Sequence, residues 1–172
     1  MDVQSDLSIM LTPGDGDYPT DLGPEAVAPL APLLRELLAD VFVLYLKTKS
    51  FHWHVGGSHF REYHLLLDEQ ADQLFAMTDV IAERSLKLGA STLRSIGDVI
   101  RHRRLDDCDK TDLVAADMLR ELRSDNVRLT RFLRDTRAVS ERFGDVATAS
   151  LIDSWIDEAE RRTWFVNATL RD

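Results

Sequence analysis

The chain has 172 residues, of which 30 are acidic and 21 are basic, so its formal net charge is −9. With 44% hydrophobic residues and few glycines and prolines, the composition is that of one globular domain and excludes collagen-like or disordered chains. The single cysteine, Cys108, excludes an internal disulfide framework and a zinc site made of cysteines alone. No apolar run is long enough for a membrane span and no signal peptide is evident, so we expect a cytoplasmic protein without membrane contact.

The acidic balance favours cations over nucleic acids as partners, because DNA is bound through clusters of Lys and Arg. Residues 1–25 combine turn-forming Pro and Gly with six carboxylates and contain no Lys or Arg. We predict that they form a flexible acidic N-terminal arm, and that residues 26–172 form one folded domain.

The first long helix is predicted from apolar residues that recur every three or four positions after Pro29 and Pro32. Proline is tolerated in the first turn of a helix, so these two residues are expected to mark its start. The pattern continues to His52, and the pair Gly56-Gly57 is expected to end the helix. The apolar stripe includes Leu34, Leu38, Val41 and Tyr45.

Three further long helices are predicted downstream. The second helix is expected at about residues 59–88, with Ser58 as its N-cap. A short helix is expected around the apolar cluster of residues 93–100, within a long connection. The third and fourth long helices are expected at about 111–143 and 145–170. The sequence thus predicts an all-α four-helix bundle with a short extra helix in the connection between helices 2 and 3.

One face of the second helix carries side chains that are unusual for an apolar stripe. If His64 is taken as zero, Asp68 lies at about 40° and Asp79 at about 60° around the helix. Glu83 follows at about 100°, and apolar residues share the arc, which is therefore expected to be buried. Ionised carboxylates on a buried face are costly unless they are paired or coordinate a metal. The apolar residues of this arc are Ala71, Phe75, Ala82 and Leu86.

The spacing of these residues indicates a site shared between two chains. His64 and Asp68 are four residues apart, so they can converge on one point. The same holds for Asp79 and Glu83, but the two pairs lie about 16–28 Å apart along the helix. One metal centre cannot use both pairs from the same chain. Two copies related by a two-fold axis would bring the first pair of one chain to the second pair of its partner.

The resulting set of imidazoles and carboxylates suits iron, with manganese and zinc as competitors. His52, at the end of the first helix, is placed to join His64 and Asp68. The alternative interpretation is structural, with histidines satisfied in the core and carboxylates on a solvated face. Trp53 is either a packing residue or a redox-active neighbour of the centre. The remaining histidines have no partners at useful spacing and are not predicted ligands; they are His54, His59 and His102.

A long motif runs through the first two helices, within residues 47–89. It consists of His52-Trp53, Val55, Gly57, Phe60, His64, Asp68-Glu69 and the run from Asp79 to Arg84. These residue types and spacings resemble the core segment of the Dps-type miniferritins, which are ferritin-like proteins. The helix layout agrees with that family over about residues 26–170.

The resemblance implies a ferritin-like four-helix bundle that assembles into a hollow homo-oligomer, a dodecamer. It implies a ferroxidase that oxidises Fe²⁺, preferentially with hydrogen peroxide, and stores ferric mineral, which protects against oxidative damage. By the match to the motif, one chain supplies His52, His64 and Asp68 as iron ligands at a two-fold dimer interface. Asp79 and Glu83 match the ligands that the partner chain supplies.

The resemblance also implies roles for residues outside the ligand set. Trp53 matches a tryptophan beside the iron centre that can supply or relay an electron. The start of the fourth long helix resembles the region that lines acidic three-fold pores in the family. Asp145 is a candidate pore residue there, and Asp153 and Asp157 are weaker candidates. Ser150 stands where many relatives carry an acid.

An alternative function is that of a nucleoid-associated protein that protects DNA by coating it. Many members of the family bind DNA through tails rich in Lys and Arg. Both ends of this chain depart from that pattern, because the N-terminal arm is acidic and the C-terminus is Leu170-Arg171-Asp172. We therefore predict weak or absent DNA binding at physiological salt.

Overall fold

The computed structural model describes residues 20–171, which form five α-helices and, within that range, no strands. The helices are α1 (Pro24–His54), α2 (Phe60–Lys87), α3 (Ile96–His102), α4 (Ala115–Arg142) and α5 (Val146–Thr169). The prediction of an all-α bundle with a short helix, α3, in the long connection is confirmed. Residues 1–19 of the predicted acidic arm lie outside the described residues, so the arm stays a prediction. None of the described helices combines the length and apolar character that crossing a bilayer needs.

Helix α1 begins several residues before its predicted start. Its first residue is Pro24, and both Pro29 and Pro32 lie inside the helix. Pro24 needs no helical hydrogen bond at that position, whereas Pro29 removes one. The side chains of Val27 and Leu30, 9% and 0% exposed, extend the buried apolar face through this turn. Tertiary packing therefore outweighs the local cost of the internal prolines.

A short turn joins α1 to α2 and sets the two helices antiparallel. Gly57 has a φ of 104°, a conformation that residues with a Cβ adopt only with strain. Helix α2 begins at Phe60, with His59 at the cap position and no side-chain cap. The prediction of Ser58 as N-cap is wrong, because Ser58 lies within the turn and too early to reach the first helical N–H groups. The turn brings the motif residues at the end of α1 beside those at the start of α2.

The core is built from the facing apolar stripes of the four long helices. Helix α1 packs along α2, α4 packs along α5, and α1 also contacts α4. Each fully buried aliphatic side chain contributes about 1.5–3 kcal/mol relative to exposure, so this core dominates the stability of the bundle. The side chains with no exposed surface include Leu30, Leu34, Leu37, Leu44, Leu67, Leu74, Ile81, Leu119, Leu122, Leu129, Leu133 and Ile152.

The long connection between α2 and α4 is tied to α1 by a buried carboxylate. Asp40 is 0% exposed and accepts hydrogen bonds from the backbone N–H groups of Arg104 at 2.6 Å and Leu105 at 2.9 Å. The Arg104 guanidinium also lies 2.8 Å from this carboxylate, so the buried charge is paired. These contacts fix the segment of the connection that directly follows α3, and α3 packs against α1.

Candidate metal centre

His52 and His64 form a stacked pair where the end of α1 meets the start of α2. Their ring centroids are 3.7 Å apart and their ring planes differ by 21°. His52 is 8% exposed and His64 is half-buried. The structure therefore brings together the two histidines that the sequence analysis assigned to one half of the metal centre.

Each ring of this pair is held by the backbone of the other helix. Nδ1 of His52 lies 2.8 Å from the carbonyl oxygen of His64, and Nδ1 of His64 lies 2.9 Å from that of His52. Because a carbonyl oxygen only accepts, both Nδ1 atoms donate, and in the neutral form of each ring the free lone pair is therefore on Nε2. A neutral imidazole with a free Nε2 is a metal ligand, and the bond from its other nitrogen fixes the ring orientation.

Asp68 lies one helical turn after His64 and contributes a carboxylate to this half of the centre. Its Oδ1 atom lies 3.7 Å from Nε2 of His52, and its side chain is 43% exposed. The ammonium group of Lys49 on α1 donates a hydrogen bond to the same oxygen and lies 3.8 Å from Asp72. The hydrogen bond from Lys49 holds the pKa of Asp68 below its ordinary value, so the carboxylate is ionised at neutral pH.

Lys49 is a residue of this site that the sequence analysis missed. The projection of α2 considered the residues of one helix only, whereas Lys49 reaches Asp68 from the neighbouring helix. It precedes His52 by three residues, which places both on the same side of α1. That spacing was the available signal. The hydrogen bond to Asp68 raises the pKa of Lys49, so the positive charge persists at the site.

Asp79 and Glu83 lie on later turns of α2, away from the histidine pair. Because α2 is unbroken, Asp79 lies about 16 Å beyond Asp68 along the helix axis. The side chain of Glu83 is 54% exposed and pairs with Lys87 at 2.9 Å. Within residues 20–171, no three His, Cys, Asp or Glu side chains come together as a complete metal site. One chain thus holds two separate sets of candidate ligands, and the site shared between chains stays a prediction.

The α2 arc that carries these ligands is only partly buried in the single chain. Ala71 is buried as predicted, but the prediction is wrong for the large apolar residues of the arc in one protomer. Phe75 is 56% exposed and Leu86 is 47% exposed, and the carboxylates of Asp79 and Glu83 also face solvent. Trp53, at the end of α1, is 59% exposed. Large apolar side chains exposed together on one surface are typical of a protein–protein interface.

Asp145 does not serve as a pore acid, and that interpretation is wrong. It is 2% exposed and caps α5 by accepting a hydrogen bond from the backbone N–H of Thr148 at 2.9 Å. It also accepts one from Nη2 of Arg84 at 2.7 Å, which links the end of α2 to the start of α5. Burial alone would raise the pKa of Asp145, but the bonds from Thr148 and Arg84 outweigh it and hold the pKa below its ordinary value.

The other pore candidates face solvent on α5. Asp153 is 57% exposed and accepts a hydrogen bond from Nε of Arg137 at 3.1 Å, so its charge is partly neutralised. Asp157 and Ser150 are exposed, and Asp157 forms no ion pair within residues 20–171. A pore role stays a prediction for Asp153 and Asp157.

Comparison with known proteins identifies the class to which this bundle belongs. The ferritin-like domain family matches residues 32–172. Among individual relatives, the DNA protection during starvation protein of Helicobacter pylori is 28% identical over 138 residues, which cover 80% of this chain and 96% of that protein.

Solved structures share the fold over most of the chain. Dps from Thermosynechococcus elongatus is 26% identical with a TM-score of 0.83, over 86% of this chain and 94% of that one. A Dps protein from Vibrio cholerae O1 is described as a member of a broad superfamily of ferritin-like diiron-carboxylate proteins. It is 26% identical with a TM-score of 0.84, over 91% of this chain and 99% of that one. The bundle is thus that of a ferritin-like protein. Within that class, the chain belongs to the Dps-type miniferritins.

Proposed function

We propose that the protein is a cytoplasmic ferroxidase and iron-storage protein that protects against oxidative damage. It binds Fe²⁺ as substrate at centres shared by two chains, oxidises it with hydrogen peroxide and holds the ferric product inside a dodecameric cage. The observation that carries this proposal is the half-site of His52, His64 and Asp68, in which both imidazoles offer a free Nε2. The separate carboxylates Asp79 and Glu83 stand on an exposed apolar surface, where a second chain can supply the missing ligands.

The donor set fits the chemistry of this reaction. Imidazole nitrogen suits Fe²⁺, and carboxylate oxygen favours the harder Fe³⁺ product, so the site stabilises the oxidised state. Two Fe²⁺ ions each give one electron to one hydrogen peroxide molecule, whose O–O bond breaks to leave two hydroxide ions. Because both electrons reach the peroxide at one centre, no hydroxyl radical is released. The fixed rings of His52 and His64 hold the ligand atoms in place throughout.

An anaerobic titration followed by peroxide tests this function directly. Fe²⁺ is added to the metal-free assembled protein without oxygen, hydrogen peroxide is then added, and the near-ultraviolet absorbance of Fe³⁺ is followed. We expect saturable Fe²⁺ binding and fast oxidation that consumes one peroxide for every two Fe²⁺. Oxidation at the rate found in buffer alone would contradict the proposal.

Lys49→Met should tighten Fe²⁺ binding about twofold to fivefold, the effect of one partly exposed ion pair. The Lys49 ammonium occupies the carboxylate oxygen of Asp68 that the metal would use, and its charge repels a cation. Removing it leaves Asp68 free for the metal. Equilibrium titration with Fe²⁺ under anaerobic conditions measures the change.

Lys110→Met is the matched control for this prediction. It removes the same charge from an exposed position in the connection between α3 and α4, so the Fe²⁺ affinity should stay unchanged. If Lys49→Met weakened Fe²⁺ binding instead, Lys49 would be a support of the site and not a competitor of the metal.

The relatives named for DNA protection raise DNA coating as the second candidate function. We expect weak or absent DNA binding, because counterion release requires clustered cations and the net charge is −9. A gel-shift assay with metal-free protein at about 0.15 M salt, the physiological ionic strength, measures this. Tight retardation under these conditions would make DNA coating the better description.

A further inference from the structure

Arg162 on α5 is a buried cation whose hydrogen-bonding capacity is mostly unused. It is 1% exposed, and its Nε atom donates to Oδ1 of Asn126 on α4 at 2.8 Å. Its two terminal nitrogens, Nη1 and Nη2, are buried and have no hydrogen-bond partner within residues 20–171. Burial lowers the pKa of Arg162 to about 10, so the guanidinium remains charged at neutral pH.

Other cations of the bundle that are buried or half-buried have carboxylate partners. The buried Lys47 lies 2.7 Å from Asp125, and the half-buried Arg104 lies 2.8 Å from Asp40. By contrast, none of the ion pairs in the described part of the chain involves Arg162. Glu158, one turn earlier on α5, raises the pKa of Arg162 through its charge but forms no hydrogen bond or ion pair with it among residues 20–171. A buried charge without a direct partner is costly, so the terminal nitrogens of Arg162 are left to find an acceptor outside the described part of the chain.

Arg162 also lines a shallow groove between α2 and α5 that is partly open to solvent and encloses room for about one water-sized sphere. Arg161 and the side-chain amides of Gln70 and Gln73 are further polar groups of its lining. Glu69 is the single carboxylate among the lining residues and lies 3.6 Å from Arg161. With two guanidinium groups against one carboxylate, the lining carries a net positive charge.

We propose that this groove binds a small inorganic anion, with the terminal nitrogens of Arg162 as its principal donors. A guanidinium binds an oxyanion through two parallel hydrogen bonds and also accepts a spherical halide between its N–H groups. The α2 residues of the groove lie about 140–240° around the helix from His64. The anion site is therefore separate from the candidate metal centre and does not depend on the proposed ferroxidase function.

Anion binding to the full-length, metal-free, assembled protein tests this proposal. Sodium phosphate and sodium chloride are each titrated calorimetrically, up to about 10 mM, in a buffer free of both anions and at constant ionic strength, because higher concentrations stabilise proteins non-specifically. We expect saturable binding of one anion per chain. Saturation by phosphate alone identifies an oxyanion site, and saturation by chloride identifies a halide site. No saturable binding of either anion overturns the proposal.

Arg162→Met should weaken the binding at least about tenfold, and Arg120→Met should leave it unchanged. Arg120 is an exposed arginine of α4 that pairs with Asp117. The control therefore removes an equal charge from a helix that contributes no residue to the groove lining. Replacing a buried unpaired charge by an apolar side chain of similar length is compatible with folding. If Arg162→Met nevertheless fails to fold, Arg162→Gln, which removes the charge but keeps a polar side chain at this buried position, should show the same loss. Wild-type affinity in a folded variant at position 162 overturns the proposal.

Discussion

Two inactive variants should restore iron oxidation when they are assembled together. The first carries His64→Ala with Asp68→Ala, and the second carries Asp79→Ala with Glu83→Ala. Each alone should oxidise Fe²⁺ at least about tenfold more slowly than the unaltered protein, because every centre lacks one set of ligands. In co-expressed chains that pair at random, half of the pairs are mixed and each mixed pair has one complete centre. We therefore expect about one quarter of the full rate per chain, measured as peroxide-driven Fe³⁺ formation.

The controls for this experiment separate shared sites from a general loss of structure. Asp79→Ala alone should slow oxidation strongly and cost little stability, because it removes an exposed carboxylate and not a packed apolar side chain. Circular dichroism and mass spectrometry verify that each variant is folded and that mixed assemblies form. If co-assembled chains are as slow as either variant alone, the ligands do not come from two chains.

Phe75→Asp should dissociate the assembly and abolish iron binding while the helices remain folded. Phe75 is 56% exposed in the single chain, and its ring is tilted by 42° against that of Tyr45, with ring centroids 5.3 Å apart. Burying a phenylalanine at an interface contributes about 1.5–3 kcal/mol per copy, and a two-fold axis doubles this contribution. A buried carboxylate beside Asp79 adds a penalty of several kcal/mol. Size-exclusion chromatography with light scattering measures the loss of assembly.

Val127→Asp is the matched control for the Phe75 variant. Val127 lies on α4, outside the surface that carries the candidate ligands, and is 38% exposed. Val127→Asp also replaces an exposed apolar residue by aspartate, but at this position it should leave the assembly and iron binding intact. If Phe75→Asp stayed fully assembled and bound iron normally, the surface around Phe75 would not be the contact between chains.

The sequence predicted the helices because their apolar residues recur at helical spacing over many turns. It also predicted the pairing of His64 with Asp68, since residues four apart on a helix must lie close together. The start of α1 could not be predicted, because Pro24 is followed by internal prolines whose cost is offset only by packing against other helices. Ser58 was assigned as a cap on residue type alone, although the turn at Gly57 sets the actual start of α2.

Features of the site that depend on contact between helices could not be predicted from the sequence. The hydrogen bond of Lys49 to Asp68 requires a defined rotation of α1 against α2, and the periodicity of one helix does not contain it. The same holds for the crossed bonds between the rings and carbonyls of His52 and His64. The unpaired terminal nitrogens of Arg162 likewise follow only from the packing of α2 and α4 against α5, the helix that carries this residue.

The crossed bonds of the histidine pair have a consequence for how this half-site can change in evolution. The ring of His52 is oriented by the main chain at position 64, and the ring at position 64 by the main chain at position 52. Losing either imidazole frees a carbonyl and opens space beside the surviving ring, which then loses its stacking neighbour. The effects of substituting the two histidines on iron binding should consequently be strongly non-additive. The first substitution already removes most of the iron binding that the second could remove. Lineages that abandon this metal chemistry would be expected to discard both histidines together.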